Sequence, residues 1–107
     1  MDTVKQSITP RVSLLKPTNK EYLIAGIFLS SLTLREYETL ILITDGFSNS
    51  MIHEIMQIEQ KTVERHISEL YSKLKGAIYT SEGSTEFYGM VNQKTYMARL
   101  VNIAAEA

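Results

Sequence analysis

The chain has no cysteine among its 107 residues. That excludes a disulfide framework, a thiol nucleophile and a zinc site built on cysteine, and it fits a reducing compartment. The longest apolar run, Tyr22 to Leu29 (YLIAGIFL), falls short of the roughly 20 residues a membrane-spanning helix needs. The segment before it holds no apolar block of the kind a secretion signal requires. The expectation is a cytoplasmic protein with no membrane association. Histidine is scarce as well: His53 and His66 are the only two, and no close His or Cys pairing is present to hold a metal. No paired-carboxylate motif, Ser/His/Asp arrangement, glycine-rich phosphate loop or Walker pattern occurs. The sequence therefore predicts neither an enzyme nor a bound metal or cofactor.

What is there suffices for one domain, or one domain with an arm. A hydrophobic content of 44% supplies a core, and a charged content of 21% argues against wholesale disorder. The formal charge of −1 says little by itself, so its distribution matters more.

Residues 1–17 (MDTVKQSITPRVSLLKP) show no sustained helical period and carry Lys5, Arg11 and Lys16 against Asp2. They read as a basic arm, with a short extended piece at Arg11 to Leu15, or as a frayed terminus. Thr18-Asn19-Lys20-Glu21 is a capping box: the threonine hydroxyl accepts from the third backbone N–H while the glutamate reaches back to the cap. A helix over about 19–30 follows. It is apolar nearly all round, so it must be covered on more than one side. Thr33-Leu34-Arg35-Glu36 repeats the signature, and the next helix runs to about Asp45, with Gly46 as a left-handed stop. Its spacing predicts an inner face of Tyr37, Leu40, Ile41 and Thr44.

Ser48-Asn49 caps a short helix to about Met56, with Ile52, Ile55 and Met56 predicted inward. After a break, residues 60–75 are strongly periodic. Val63, Ile67, Leu70, Tyr71 and Leu74 share one face, and Lys61, Glu64, Arg65, Ser68 and Ser72 the other. Residues 76–89, with Gly76, Gly83 and Gly89, read as a loop or hairpin-like excursion. A last helix over about 92–105 places Met97, Leu100, Val101 and Ala104 on one face. The fold expected is all-α, built of four main helices with an extra N-terminal helix and arm.

Four groups of residues resemble the LuxR/GerE/FixJ-type helix-turn-helix domain of bacterial transcription regulators. Leu32-Thr33-Leu34-Arg35-Glu36-Tyr37-Glu38 fits its opening Leu-Thr-x-Arg-Glu-x-Glu. Gly46-Phe47-Ser48-Asn49 fits its Gly-x-Ser-Asn, and Lys61-Thr62-Val63-Glu64-Arg65-His66 its Lys-Thr-Val-x-x-His. Lys73-Leu74 fits its closing pair. The resemblance is dense over 32–75, extends to 92–105 as the family's fourth helix, and omits 1–31. On this reading residues 18–107 are the domain, 32–75 its core motif and 92–105 its dimerisation helix.

The resemblance implies a regulator that binds double-stranded DNA as a homodimer, with the helix at 60–75 in the major groove. It implies that Thr62 and His66 face phosphates and that Glu64, Arg65 and Ser68 face base edges. Asn49, Ser50, Lys61 and Lys73 join them as DNA-contacting candidates. Met97, Leu100, Val101 and Ala104 would form the dimer interface, and that contact would bury apolar surface in excess of what the central helices cover. No receiver or ligand-sensing domain is visible, so a small stand-alone regulator is expected.

The sequence also departs from the family's habits. Ser50 stands where a basic residue is common, His53 where a small residue is usual, Glu59 where serine caps the recognition helix, and Glu64 where Lys or Arg is common. From Thr33 to Lys75 there are five basic and seven acidic residues, a local excess of two negative charges. DNA-binding modules normally present a basic face, because phosphate neutralisation supplies much of their affinity. A rival reading follows: a degenerate helix-turn-helix used as a protein-interaction module for another regulator or RNA polymerase.

Overall fold

The structure, a computed structural model, describes residues 16–106. The expected basic arm, with its extended piece at Arg11 to Leu15, therefore lies almost wholly outside the described residues. Within them the chain forms six helices: α1 (Asn19–Ser30), α2 (Leu34–Thr44), α3 (Asn49–Met56), α4 (Gln60–Glu82), α5 (Glu86–Met90) and α6 (Gln93–Glu106). The described residues contain no strand.

Both capping boxes form as their spacing dictates. Thr18 and Glu21 close α1 reciprocally, and Thr33 and Glu36 close α2. Gly46, at φ 96°, lets the chain turn out of α2 in a region that side chains with a Cβ rarely enter. α1 packs against both α4 and α6, burying Ile24, Ala25 and Phe28. That accounts for its weak apolar-to-polar contrast: two neighbours need two apolar sides. Only Tyr22 and Leu23 remain as large exposed apolar residues on this helix.

Two apolar clusters share α4. Its N-terminal half meets α2 and α3 through Ile43, Ile52 and Val63, with Leu42, Phe47, Met56, Ile58 and Ile67 around them. Its C-terminal half meets α1, α2 and α6 through Leu70, Leu74, Ala77 and Ile78, which pack with Phe28, Leu40, Met97 and Leu100. At 23 residues the helix is about 34 Å long, enough to serve both.

Several expectations are corrected here. α4 does not stop at residue 75. It runs through Gly76 to Glu82 and ends at Gly83 in the left-handed region. A mid-helix glycine costs only about 1 kcal/mol, and burial of Ala77 and Ile78 outweighs it. The predicted loop at 76–89 is thus mostly helix. In α2 the buried face is Glu36, Thr39, Leu40 and Ile43; Tyr37 is exposed, and Ile41 and Thr44 are half-buried. Contacts with both α4 and α6 rotate the inner face toward the capping glutamate. In α3 only Ile52 is fully buried, Met56 is half-buried and Ile55 is exposed, because this short helix packs chiefly on α2 and α4.

Met97 and Leu100, taken from the sequence as dimer-interface residues, are wholly buried, each 0% exposed, inside a single copy. α1 lies against α6 and takes up the apolar surface that periodicity had left without a partner. Of the four, Val101 is half-buried and Ala104 exposed.

Candidate nucleic-acid interface

The candidate face begins with the turn between α3 and α4. α3 is capped by the Ser48 hydroxyl, which accepts from the Met51 N–H at 3.2 Å. The helix ends at Gln57, in the left-handed region at φ 57°, ψ 46°. The turn is braced by His53, whose Nδ1 meets the Ile58 carbonyl oxygen. A carbonyl only accepts, so Nδ1 carries the proton. The Ile58 N–H also donates to the His53 carbonyl, at 3.3 Å. His53 thus ties the turn to α3 through two hydrogen bonds with Ile58, one from its ring and one at its backbone carbonyl.

α4 then starts at Gln60, after Glu59, whose side chain makes no capping bond. The Thr62 and Val63 amides reach the Glu59 carbonyl, whereas the first-turn amides of Gln60 and Lys61 have no such partner among the described residues. A helix start of this kind carries partial positive charge and suits an anion.

Along the helix, Lys61, Glu64, Arg65, Ser68 and Ser72 are all exposed, and Thr62 and His66 are half-buried beside them. The inward face is Val63, Leu70 and Leu74, so the helical period separates the two functions. Lys61 and Arg65 lie one turn apart, and among the described residues neither is held in an ion pair. Asn49 and Ser50 are exposed at the start of α3. Glu64 and Glu69 are exposed on α4, so the carboxylates counted in the sequence do reach the surface there.

Lys73 does not join this stripe. Its Nζ lies 2.7 Å from a Glu36 carboxylate oxygen and 2.9 Å from the Ser31 carbonyl oxygen. Lys73, expected among the DNA-contacting residues, has its cation taken up by a buried carboxylate within the chain. Burial pushes the Glu36 carboxyl up, but the Lys73 ammonium and the hydrogen bonds of Thr33 outweigh it and hold the group below the ordinary carboxylate range.

A second contact of the same design escaped the sequence. The Arg99 guanidinium binds Glu21 through two bonds, Nε at 2.7 Å and Nη2 at 3.0 Å. This pairing holds the Glu21 carboxyl below its ordinary value against the opposing effect of burial, with a further contribution from the Thr18 amide. In both cases a capping-box glutamate fixes its own helix start and grips a cation from a distant helix. The glutamates are legible from the four-residue spacing, but nothing local identifies the distant partner.

Comparisons with known proteins fall on the same segment. Residues 30–77 match the family model described as bacterial regulatory proteins, luxR family. The chain is 50% identical over 46 residues to the transcriptional regulatory protein DegU of Brevibacillus brevis, covering 43% of this chain and 20% of that one. It is 40% identical over 65 residues to the HTH-type transcriptional regulator MalT of Vibrio campbellii, covering 56% of this chain and 7% of that one. It is 38% identical over 45 residues to the probable transcriptional regulator ycf29 of Guillardia theta, covering 42% and 22%. The chain therefore spans less than a quarter of the length of each of these relatives. No solved structure matches it.

Proposed function

With residues 30–77 a helix-turn-helix domain of the luxR family of bacterial regulatory proteins, we propose that this chain is a transcription regulator that binds double-stranded DNA as a homodimer through α4. One observation carries the reading: Lys61 and Arg65 stand exposed and, among the described residues, free of ion pairs, on the outer stripe of a helix whose opposite face packs against α3. In this reading Lys61, Thr62 and His66 hold phosphates, with Asn49 and Ser50 adding contacts from α3. Glu64, Arg65 and Ser68 face base edges. The homodimer sets two copies of α4 on half-sites about one DNA turn apart. Its contact draws on Tyr22 and Leu23 of α1, the large apolar residues of that helix left exposed, and on Val101 and Ala104 of α6.

A salt titration of binding to mixed-sequence duplex DNA tests the first part. Phosphate contacts by Lys61 and Arg65 require affinity to fall steeply as salt rises. Light scattering tests the second: the dimer has twice the 12.2 kDa mass of the chain, and Leu23→Asp, at a site 53% exposed, should weaken it without disturbing the core.

A second reading is favoured by the exposed Glu64 and Glu69 on α4. The same face then docks on a protein, another regulator or RNA polymerase, and the chain shows little DNA affinity even at low salt. The salt titration separates the two.

A further inference from the structure

A single residue of α3 holds the turn that leads into α4. The Gln57 N–H donates to the His53 carbonyl, and the Ile58 N–H donates to the same oxygen at 3.3 Å. The His53 ring completes the set from the side-chain end, its Nδ1–H donating to the Ile58 carbonyl. Among the described residues, every hydrogen bond of Gln57 and Ile58 ends on His53.

Two features make the turn depend on that hold. Gln57 sits at φ 57° and ψ 46°, and among the described residues it is the one residue other than glycine with a positive φ. A side chain with a Cβ enters the left-handed region at a cost, so the conformation persists where the surroundings fix it. The second feature is the start of α4. Thr18, Thr33 and Ser48 cap α1, α2 and α3 with their hydroxyls, whereas Glu59 makes no capping bond to α4. The first turn of α4 is therefore not fixed by a cap of its own. It follows directly on Ile58 and Glu59, and the Ile58 side chain packs against the cluster of Ile43, Ile52 and Val63. Ile58 is thus held at its backbone by His53 and at its side chain by both helices of the motif.

We propose that His53 is a positioning residue for DNA recognition: its ring bond to Ile58 keeps Gln57 in the left-handed region and so sets the angle at which α4 leaves α3. The inference rests on the DNA-binding reading for its consequence and on the turn alone for its cause. Base edges are read by short, directional hydrogen bonds, whereas phosphates attract Lys61 and Arg65 over several ångströms. A loosened turn therefore costs sequence preference more than general affinity.

The geometry of the donor supplies the variants. Asparagine carries an N–H two bonds beyond Cβ, as histidine does at Nδ1, and leucine has a similar branch with no donor. The full chain is compared as parent, His53→Asn, His53→Leu, and His53→Leu combined with Gln57→Gly. The quantity read is the ratio of Kd for a mixed-sequence duplex to Kd for a duplex that the parent selects from a randomised library, at one salt concentration. His53→Leu should lower this ratio about fivefold, the factor that one lost hydrogen bond corresponds to, while Kd for the mixed-sequence duplex changes by less than about twofold. His53→Asn should keep the parent's ratio. Gln57→Gly should restore part of the ratio in the leucine variant, because glycine stays left-handed without support.

A second measurement needs neither DNA nor a variant. In the imidazole ¹⁵N spectrum of the parent at roughly pH 9, where a histidine ring is neutral, His53 should carry its proton on Nδ1 and none on Nε2. A proton on Nε2 instead would overturn the inference, as would His53→Asn proving no better than His53→Leu. A parent that binds no duplex even at low salt would take down the DNA-binding reading and this inference with it. A parent that binds selectively, with His53→Leu keeping its ratio, would take down this inference alone.

Discussion

Glu36 and Lys73 meet at 2.7 Å across a separation of 37 residues, and the same carboxylate oxygen accepts from the Thr33 N–H at 2.9 Å. One side chain therefore caps α2 and fastens it to the middle of α4. The junction engages a cation that the sequence places among the DNA-contacting candidates.

That arrangement makes a prediction about Lys73. The Glu36 side chain is 8% exposed and that of Lys73 27%, so removing the ammonium leaves a carboxylate with little water to replace it. Lys73→Met should lower the unfolding free energy by roughly 2 kcal/mol, read from urea denaturation. Glu36→Gln should cost less, since an amide oxygen still serves the capping box and Lys73 keeps the Ser31 carbonyl. DNA affinity measured on folded Lys73→Met should stay close to that of the parent. A large loss of affinity with unchanged stability would return Lys73 to the interface.

The two glutamates also set a pH dependence. Both carboxyls are held below the ordinary value of 4.5 in the folded chain, Glu21 by Arg99 and Glu36 by Lys73 and Thr33 against burial. A depressed carboxyl stabilises the fold fully above its unfolded pKa, and that stabilisation is lost as pH falls through the folded pKa. Stability should thus be flat in these two groups near neutrality and decline below about pH 4.5. A double variant, Glu21→Gln with Glu36→Gln, should be less stable at neutral pH and lose less on acidification. Equal acid slopes for parent and variant would assign the loss to other carboxylates.

Much of this architecture could be read from residue order, and the parts that could not share a cause. Capping boxes, the stop at Gly46 and the Val63–Leu74 stripe are local patterns within a few residues of one another. So is the outward stripe of Lys61, Glu64 and Arg65, which is its complement on the same helix. The burial of Met97 and Leu100 is different: periodicity shows that α6 has an apolar face but not that α1 covers it. Arg99 and Lys73 are exposed-looking cations in the sequence, and only the fold brings their glutamates near. Gly76 misleads for a related reason, because its local cost is small beside the burial available to Ala77 and Ile78.

Gly76 provides a direct check. It lies inside α4, is exposed, and a Cβ built there meets nothing within 4 Å. Replacing a mid-helix glycine by alanine gains roughly 0.5–1 kcal/mol where space and backbone allow. Gly76→Ala should raise the urea midpoint accordingly. A loop at this position would give no such gain, and destabilisation would contradict a helix running to Glu82.

Glu64 poses the sharper question, because it stands exposed on the face proposed to enter the groove. A carboxylate there repels phosphate wherever the protein sits on DNA, which weakens binding to every sequence. It can also accept from the N4 amino group of cytosine, which rewards one sequence only. The side chain would then exchange general affinity for selectivity. Glu64→Gln should strengthen binding to mixed-sequence DNA by on the order of 1 kcal/mol at low salt and reduce discrimination at a single C·G pair by roughly 1–3 kcal/mol. Arg65, one position on, serves as the control. Arg65→Ala should weaken binding to all sequences if it holds phosphate, with a shallower salt slope, or relax preference at a different base pair if it reads guanine. Binding to a randomised duplex library, sequenced before and after selection, measures both effects together. If Glu64→Gln changes neither affinity nor preference while Arg65→Ala changes one of them, Glu64 faces away from the bases. If neither variant changes binding, α4 does not enter the groove, and the exposed carboxylates mark a protein-binding face instead.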